Sequence, residues 1–228
     1  MCHTATIEGR TTCHACSEAL AAYPDGIADV VVPISVAIRH EQLATELWRY
    51  KEVEDADTRR VHQLRLAAVL WSFLADHERC VADAAGVDAF DVVTTVPSTG
   101  GRVRHPLREI VGEIVGATKG RYIDLLAANP ALPADRDVHG DRFALVDGDD
   151  SIDLTGASIL VLDDTWTRGG HAQSASVALK AAGARKVGVV VLGRHFDPDY
   201  PANRTYLRQA RKAPFSWGHC CVHRRGFQ

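Results

Sequence analysis

The stretch SILVLDDTWTRGGHAQSASVALKAAGA, residues 158–184, decides the fold. Its first residues form an apolar run typical of a buried strand, and the run ends in two carboxylates, Asp163 and Asp164. A loop rich in Thr and Gly, residues 165–172, follows and opens a predicted helix over 171–184. A carboxylate beside a buried strand is costly unless something binds it. The stretch is therefore a candidate ligand site.

Strands and helices alternate on both sides of this stretch. Strands are predicted over 27–35, 90–97, 142–148, 157–164 and 186–194, and helices over 41–51, 59–77, 106–116 and 171–184. The helix over 59–77 has the strongest pattern, since apolar residues recur at helical spacing. These residues are Val61, Leu64, Ala68, Trp71 and Ala75. Nearly continuous apolar strands that alternate with helices predict an α/β fold with a parallel sheet covered on both faces.

The loop after the strand predicted over 90–97 repeats the same plan. It reads STGGRVRH over 98–105 and precedes a helix with Pro at its first position. Glycines let the backbone approach a ligand closely, and arginines suit a diphosphate. Both loops would lie at the edge of the sheet where such folds bind ligands. The alternative is an ordinary glycine turn with solvated arginines.

Bulk properties fit one domain, or one domain with an appendage, in a chain of 228 residues. The net charge of -3 does not suggest nucleic-acid binding by the whole chain, although a local basic patch stays open. The first 20 residues lack the pattern of a signal peptide, and no apolar run approaches the roughly 18 residues that span a membrane. We therefore expect a cytoplasmic protein without membrane contact.

The loop over 165–172 has the composition of a phosphate cradle. Thr and Gly leave backbone N–H groups to converge on an anion, and the following helix adds its positive end. The carboxylates of Asp163 and Asp164 offer hydrogen-bond acceptors nearby. A ligand with a phosphate close to vicinal hydroxyls, such as ribose 5-phosphate, fits both parts. Asp-Asp at a strand end also occurs in response regulators and other nucleotide folds, and a purely structural turn is the remaining alternative.

The run ILVLDDTWTRGGHA, residues 159–172, resembles the phosphoribosyl-diphosphate (PRPP) signature of type I phosphoribosyltransferases. The resemblance implies their twisted parallel sheet flanked by helices, and it implies that Asp163 and Asp164 hold the ribose hydroxyls. The 5′-phosphate would be held by Thr165, Thr167, Arg168, Gly169, Gly170 and His171. Two positions depart from the pattern, because Arg168 stands where a second Thr is usual and His171 where Thr or Ser is usual.

Further segments resemble the ComF-like, or competence-factor-like, branch of this family. They are VAIRHEQLATELWRYK over 36–51, which ends in Lys51, and DRDVHGDRF over 135–143. The resemblance spans about residues 30 to 195. It implies a long mobile loop over 127–141 that closes over the reaction, with Arg136 and His139 as catalytic candidates and Arg142 as another cation. The diphosphate would be held by Ser98, Thr99, Gly100, Gly101, Arg102 and Arg104.

The resemblance implies a Mg²⁺-dependent transferase of nucleotide metabolism. It would move a phosphoribosyl group from PRPP to a nitrogenous base or amine and release diphosphate. The acceptor stays open, and the edge RHFDPDY, residues 194–200, is a guess for the base contact. The alternatives are a non-catalytic PRPP or nucleotide sensor, and a protein of DNA uptake with single-stranded DNA or a competence protein as its partner. A phosphate-binding hydrolase lacks a visible nucleophile. A homodimer is compatible with the family.

Six cysteines complete the sequence-based expectations. Cys13 and Cys16 form a CxxC knuckle with metal-ligand spacing, and Cys2 precedes it. ComF-like proteins often begin with a four-cysteine zinc ribbon, and Cys220 or Cys221 would complete such a structural zinc site if the chain ends meet. A redox CxxC and plain thiols are the alternatives, and we interpret Cys80 as a packed small residue. The expected division is a Cys-rich element over 1–26, the main domain over 27–200, and a C-terminal helix and tail over 201–228 packing on the first element.

Overall fold

A parallel sheet of four strands forms the centre of the computed structural model, which describes residues 12–100, 104–133, 135–146, 153–212 and 215–222. In spatial order the strands are β1 (Val30–Ile38), β6 (Lys186–Phe196), β5 (Ser158–Trp166) and β2 (Val92–Thr95). A separate antiparallel pair joins β3 (Leu126–Ala128) and β4 (Phe143–Leu145). The predicted α/β class with a parallel sheet is confirmed.

Helices connect these strands and cover the sheet. They are α1 (His14–Ala22), α2 (Gln42–Glu52), α3 (Ala56–Ala85), α4 (Pro106–Glu109), α5 (Gly116–Lys119), α6 (Gly170–Ala181) and α7 (Arg204–Ala210). The helix predicted over 106–116 is interrupted, because a π-helical turn, Ile110–Ile114, separates α4 from α5. The Thr118 hydroxyl donates to the carbonyl of Val111 at 2.6 Å in this turn.

Alternation along the strands gives the sheet two buried faces. In β5, Leu160 and Leu162 belong to a core shared with α2 and α3, while Ile159 and Val161 belong to a core shared with α6. Neighbouring strand residues point to opposite faces, so a strand covered on both sides reads as an unbroken apolar run. The unbroken apolar runs in the sequence therefore indicate these strands.

Helix α3 is longer than the sequence pattern indicates. Its first turn is capped by the Asp55 carboxylate, which accepts from the backbone N–H of Thr58 at 2.8 Å, and it ends at Gly86, whose φ is 78°. Its buried face includes Leu66, Leu70 and Phe73. The five apolar residues whose spacing indicated the helix all lie on its exposed side. The helix therefore has apolar residues on two faces, and only one of them covers the sheet.

The two cysteine-rich ends lie on different faces of the sheet. Cys16, in α1, packs in the core under α6, whereas Cys220 packs in the core under α3. Among the described residues these two cysteines thus lie in separate cores, and the packing of the tail on the N-terminal element stays a prediction. Helix α7 contributes Tyr206 and Leu207 to a small cluster at the ends of β1 and β6. Among the described residues, no helix combines the length and apolar character that crossing a membrane requires.

Candidate active site

The two carboxylates lie in the last part of β5, where its neighbour β2 has already ended. The last paired residue of β2 is Thr95, opposite Leu162. Asp163 and Asp164 follow Leu162 and therefore border an open cleft instead of another strand. Ligands of open α/β sheets bind at this kind of edge. The pair does not end β5, which continues to Trp166 beside β6, so its place at the sheet edge results from the shorter β2.

Helix α2 supplies partners for only one of these carboxylates. Asp164 is 7% exposed and accepts a hydrogen bond from the Tyr50 hydroxyl. The ammonium of Lys51 forms an ion pair with the same carboxylate oxygen. Asp163 accepts the backbone N–H of Asp164 at 2.8 Å. Burial, followed by the neighbouring charge of Asp164, raises the pKa of Asp163 to about 7.

One pocket of about 320 Å³ contains both carboxylates and the loop after β2. Its volume lies at the lower end of the range of small-molecule sites, which begins at roughly 300 Å³. The lining includes Tyr50, Lys51, Ser98, Thr99, Gly100, Arg104, His105, Arg108, Asp163, Asp164 and His171. The structure therefore brings four of the six expected diphosphate-binding residues to the acidic pair. The other two, Gly101 and Arg102, lie outside the described residues.

Cations surround this pocket. Arg104 is half-exposed and lies 3.6 Å from the Glu109 carboxylate, too far for a strong constraint on its guanidinium. Arg108 forms an ion pair with Asp124 on the same side. Together with Lys51 these groups make the pocket suited to an anion that also carries hydroxyl donors for the carboxylates.

The loop after β5 is arranged differently from the expected phosphate cradle. Gly169 has φ 84°, and a Cβ there would lie 2.0 Å from the Trp166 ring. A Cβ on Gly170 would lie 2.1 Å from the carbonyl oxygen of Arg136. Both glycines are therefore required by packing, whatever the loop binds. Thr165 lines a neighbouring cavity, and Thr167 uses its carbonyl to accept from Arg194.

Arg168 and His171, the two residues that depart from the PRPP signature, face different surroundings. Arg168 turns away from the acidic pair, with its guanidinium 3.3 Å from Asp137 and 3.8 Å from Glu18. His171 lines the pocket, and its buried Nε2 has no hydrogen-bond partner among the described residues. Burial and the nearby charge of Arg142 lower the pKa of His171, so its ring is neutral at pH 7. A buried polar atom of this kind calls for a partner such as a bound ligand or water.

The segment expected as a mobile loop over 127–141 begins in β3 and is anchored to the fold. Arg142 is 1% exposed, with its guanidinium on the Asp135 carboxylate at 2.5 Å and the Pro133 carbonyl at 3.1 Å. The backbone N–H of His139 donates to the Ser174 hydroxyl of α6 at 2.9 Å. The Arg142 guanidinium, which the sequence suggested as another cation of the loop, is buried in hydrogen bonds within this segment.

The proposed catalytic residues of this segment do not line the pocket of the acidic pair. The His139 ring contacts the Asp135 carboxylate at 3.0 Å. Arg136 lines a separate cavity of about 220 Å³ together with Glu18 and Arg168. In this conformation the structure keeps both residues apart from Asp163 and Asp164.

Sequence reasoning missed the residues that hold this site together. Tyr50 stands among the apolar positions of the helix predicted over 41–51, and its place directly before Lys51 is a usable signal. Arg194 is buried at the end of β6 and donates to the carbonyl of Trp166 at 2.8 Å as well as to that of Thr167. A cation at the end of an otherwise apolar strand was the signal for it, since buried charges need acceptors.

A second cavity of about 630 Å³ adjoins the first through Lys51, which lines both. Its wall also contains Trp48, Thr165 and His195. Trp48 is 61% exposed, so a flat ligand has access to its ring. Burial, followed by the charge of Arg136, lowers the pKa of His195. The guessed base contact over 194–200 thus borders this cavity through His195.

The predicted zinc ligands are not gathered in one place. Cys13 and Cys16 pack in the core under α6, and Cys2 lies outside the described residues. Cys220 lies with His77 and Cys80 in a group whose ligand atoms are all within 4.8 Å of one another, and this group could hold a metal ion. Cys221 packs beside the same core. Cys80, which we expected to be only a packed small residue, therefore belongs to a group that could hold a metal ion.

Comparison with known proteins leaves the function open. No protein-family model matches the chain, and no curated protein is similar to it. The function must therefore be inferred from the geometry and chemistry of the site.

Proposed function

We propose that the protein is a phosphoribosyltransferase that binds PRPP with Mg²⁺ in the pocket beside Asp163 and Asp164. The observation that carries this proposal is the joining of two sequence-distant features in that pocket. The acidic pair lies in the last part of β5, and Ser98, Thr99 and Gly100 follow β2. PRPP carries vicinal hydroxyls and a diphosphate on one ring, so it requires both features side by side.

The reaction would exchange the substituent on C1 of the ribose. The bond from C1 to the diphosphate oxygen breaks, a bond from C1 to the acceptor nitrogen forms, and that nitrogen loses a proton. Asp163 and Asp164 would accept hydrogen bonds from the ribose hydroxyls. The loop over 98–104 would hold the leaving diphosphate, with Arg104 as its described cation. In this scheme the protein contributes mainly by positioning and by charge stabilisation.

The unequal environments of the two carboxylates support a divalent cation in the bound state. Asp164 already has Tyr50 and Lys51 as contacts, whereas burial and the neighbouring charge of Asp164 raise the pKa of Asp163. Mg²⁺ prefers carboxylate, phosphate and water oxygens and needs few protein ligands. When bound it would neutralise charge on the diphosphate. Asp163 is the residue that this charge would stabilise most.

The 5′-phosphate would lie at the start of α6. Arg168 is engaged with Asp137 and Glu18, so the donors left for the phosphate are backbone N–H groups of the loop. The helix N-terminus adds a favourable potential for an anion.

The acceptor would enter the second cavity. Trp48 offers an exposed ring on which a planar base can stack, and aromatic stacking of this kind contributes roughly 0.5–1.5 kcal/mol. His195, whose lowered pKa keeps it neutral, offers a nitrogen to accept or donate a hydrogen bond. Lys51 lies between this cavity and the ribose pocket.

The same geometry supports a non-catalytic PRPP or nucleotide sensor as a second candidate. The observation in its favour is Arg168, which replaces a hydroxyl donor and points away from the pocket. Arg136 and His139 also lie apart from the acidic pair. A sensor binds PRPP without releasing diphosphate. Binding of single-stranded DNA instead would fall steeply as salt rises, because phosphate contacts release counterions.

Calorimetric titration with PRPP, with and without Mg²⁺, tests the proposal. We expect Mg²⁺-dependent binding by the parent protein and at least about tenfold weaker binding by Asp164→Asn, equivalent to about 1.4 kcal/mol. Asp88→Asn is the matched control, because Asp88 is an exposed carboxylate that does not line the pocket. Unchanged affinity in Asp164→Asn would reject the assigned role. Release of diphosphate with a panel of bases then separates the transferase from the sensor.

A further inference from the structure

Three potential metal ligands meet where the C-terminal tail touches α3. His77 and Cys80 lie one turn apart on the helix, and Cys220 comes from the tail. Their ligand atoms lie within 4.8 Å of one another, and the Cys80 Sγ lies 3.8 Å from the His77 Nδ1. His77 is 5% exposed and Cys220 is 4% exposed. Two thiols and an imidazole therefore lie close together in a largely buried site.

The second nitrogen of His77 fixes the tautomer of the ring. Its Nε2 lies 2.6 Å from the carbonyl oxygen of Trp217. A carbonyl oxygen can only accept a hydrogen bond, so Nε2 carries the proton and Nδ1 is left with a lone pair on the side of Cys80. Metal-binding histidines have this arrangement, with one nitrogen donating to a carbonyl and the other on the ion.

We propose that His77, Cys80 and Cys220 bind one Zn²⁺ that fastens the tail over 215–222 to α3. Two thiolates and an imidazole, without a carboxylate, are the ligands that zinc prefers. Zinc–sulfur distances of about 2.3 Å place two thiolates of a tetrahedral site about 3.8 Å apart, so the group must close by about 1 Å at most. Structural zinc sites usually have four protein ligands, so these three leave the fourth position to water, as in zinc sites with an open position. Each bound thiol releases its proton to solvent.

The site differs from the one expected in the sequence because it excludes the CxxC knuckle. Cys13 and Cys16 lie under the opposite face of the sheet. Metal binding by the CxxC cysteines and metal binding by His77, Cys80 and Cys220 can therefore be tested separately. The main rival for the new group is a disulfide between Cys80 and Cys220, since both are thiols within the same 4.8 Å cluster.

Metal analysis of the full-length chain, purified under reducing conditions and then titrated with Zn²⁺ or Co²⁺ alone, tests this site. We expect Cys80→Ser/Cys220→Ser to hold one Zn²⁺ per chain less than the parent and to lose the matching thiolate-to-cobalt absorption. Cys13→Ser/Cys16→Ser is the control and should keep both signals. Equal metal content in the parent and Cys80→Ser/Cys220→Ser would overturn the proposal, and so would a parent that holds no metal and shows a Cys80–Cys220 disulfide by mass spectrometry.

A second variant covers the case in which the double substitution fails to fold. His77→Gln keeps a side-chain N–H near the position that donates to Trp217 but removes the Nδ1 ligand. It should fold like the parent and bind Zn²⁺ about tenfold more weakly or worse. Unchanged zinc affinity in a folded His77→Gln would also overturn the proposal.

An independent observation concerns the exposed side of α3. The apolar residues there follow one another at intervals of three, four, three and four positions, which is the spacing of a coiled-coil seam. Their order is Val61, Leu64, Ala68, Trp71 and Ala75. Val61, Leu64 and Trp71 are 47%, 46% and 54% exposed. A soluble chain rarely leaves such a row without a partner.

Charges along this row match an antiparallel copy of itself. A two-fold axis at Ala68 would place Arg60 of one chain opposite Asp76 of the other, and Asp57 opposite Arg79. All four side chains are exposed, and none forms an ion pair with another side chain that the structure describes. Parallel pairing would instead put like charges opposite each other. We infer that α3 forms an antiparallel two-fold interface with a second copy of the chain.

Light scattering during size-exclusion chromatography tests this interface through charge reversal. We expect a dimer for the parent, monomers for Trp71→Glu, and weakened dimers for Arg60→Asp and for Asp76→Arg. The double variant Arg60→Asp/Asp76→Arg restores both opposite pairs and should restore the dimer. A monomeric parent, or a double variant no better than the single variants, would overturn the inference. Asp57 and Arg79 stay unchanged throughout.

Discussion

The Tyr50 hydroxyl donates a hydrogen bond to the Asp164 carboxylate, although the two residues lie 114 positions apart. Lys51, the next residue of α2, pairs with the same carboxylate. Neither contact is made to Asp163, and although the charge of Lys51 acts to lower the Asp163 pKa, burial beside Asp164 raises it to about 7. The two adjacent carboxylates therefore have unequal partners, because the contacts from α2 are made to Asp164. This asymmetry is the basis of the first two predictions.

Substitution of Tyr50 by Phe removes the hydroxyl and keeps the ring. Hydrogen bonds to charged groups contribute roughly 1.5–3 kcal/mol, so we expect the free energy of unfolding in urea to fall by about that amount. Tyr200→Phe is the control, since Tyr200 is 61% exposed and should change stability by less than about 0.5 kcal/mol. Equal effects of both substitutions would show that the Tyr50–Asp164 bond does not stabilise the fold.

Asp163→Asn should stabilise the unliganded protein in a pH-dependent way. The folded-state pKa of about 7 lies above the starting value of 3.8, so between these values the folded chain holds a proton that the unfolded chain has lost. Stability therefore falls as pH rises through this window, and the loss is complete above about pH 7. Asn carries no charge at any pH and avoids this loss.

The measurement is thermal unfolding of parent and Asp163→Asn at pH 5.5 and pH 8. We expect a higher Tm for the variant and a larger difference at pH 8. Asp88→Asn should show no such trend, because Asp88 is exposed. A difference that shrinks at pH 8 would mean that Asp163 is stabilised in its charged form. If the proposed function is right, the same variant binds PRPP more weakly, so stability and binding move in opposite directions.

The sheet was predictable because it is buried on both faces. Short apolar runs such as the one over 159–162 are typical of strands of this kind, and the Pro and Gly residues between them mark the loops. The acidic pair was also visible, since two charges directly after an apolar run stand out. Strand order and the early end of β2 were not visible, because they depend on pairing between distant segments.

The partners of the site could not be read from the sequence for a similar reason. Tyr50 and Arg194 each look like part of a regular element until the fold places an acceptor next to them. For helix α3 the regular spacing of apolar residues does not identify the buried face. Its most regular apolar row is exposed, while a less regular row covers the sheet. Spacing predicts a helix, but it does not say which of two apolar faces is buried.

Gly169→Ala should lower the free energy of unfolding far more than the same substitution at a glycine of similar backbone geometry. Gly169 has φ 84°, and a Cβ there would overlap the Trp166 ring at 2.0 Å. Gly86 has φ 78° with nothing within 4 Å of the same position, so Gly86→Ala reports the cost of backbone strain alone, about 1–2 kcal/mol. Urea unfolding should show a clearly larger loss for Gly169→Ala. Equal losses would mean that Trp166 can move aside.

Arg194→Met should loosen the same loop from the other side. The Arg194 side chain is 8% exposed and donates to the carbonyls of Trp166 and Thr167. Met keeps much of the volume but leaves both carbonyls without this donor, which costs roughly 1–3 kcal/mol for a buried group.

Hydrogen exchange followed by mass spectrometry should show faster exchange of the loop over 165–170 in Arg194→Met, because its anchor to β6 is lost. Arg208→Met is the matched control, since Arg208 is exposed on α7 and should leave this exchange unchanged. Weaker PRPP binding should accompany the faster exchange if the loop holds the 5′-phosphate. Faster exchange with unchanged PRPP affinity would place the phosphate elsewhere, and unchanged exchange would show that the loop is held without Arg194.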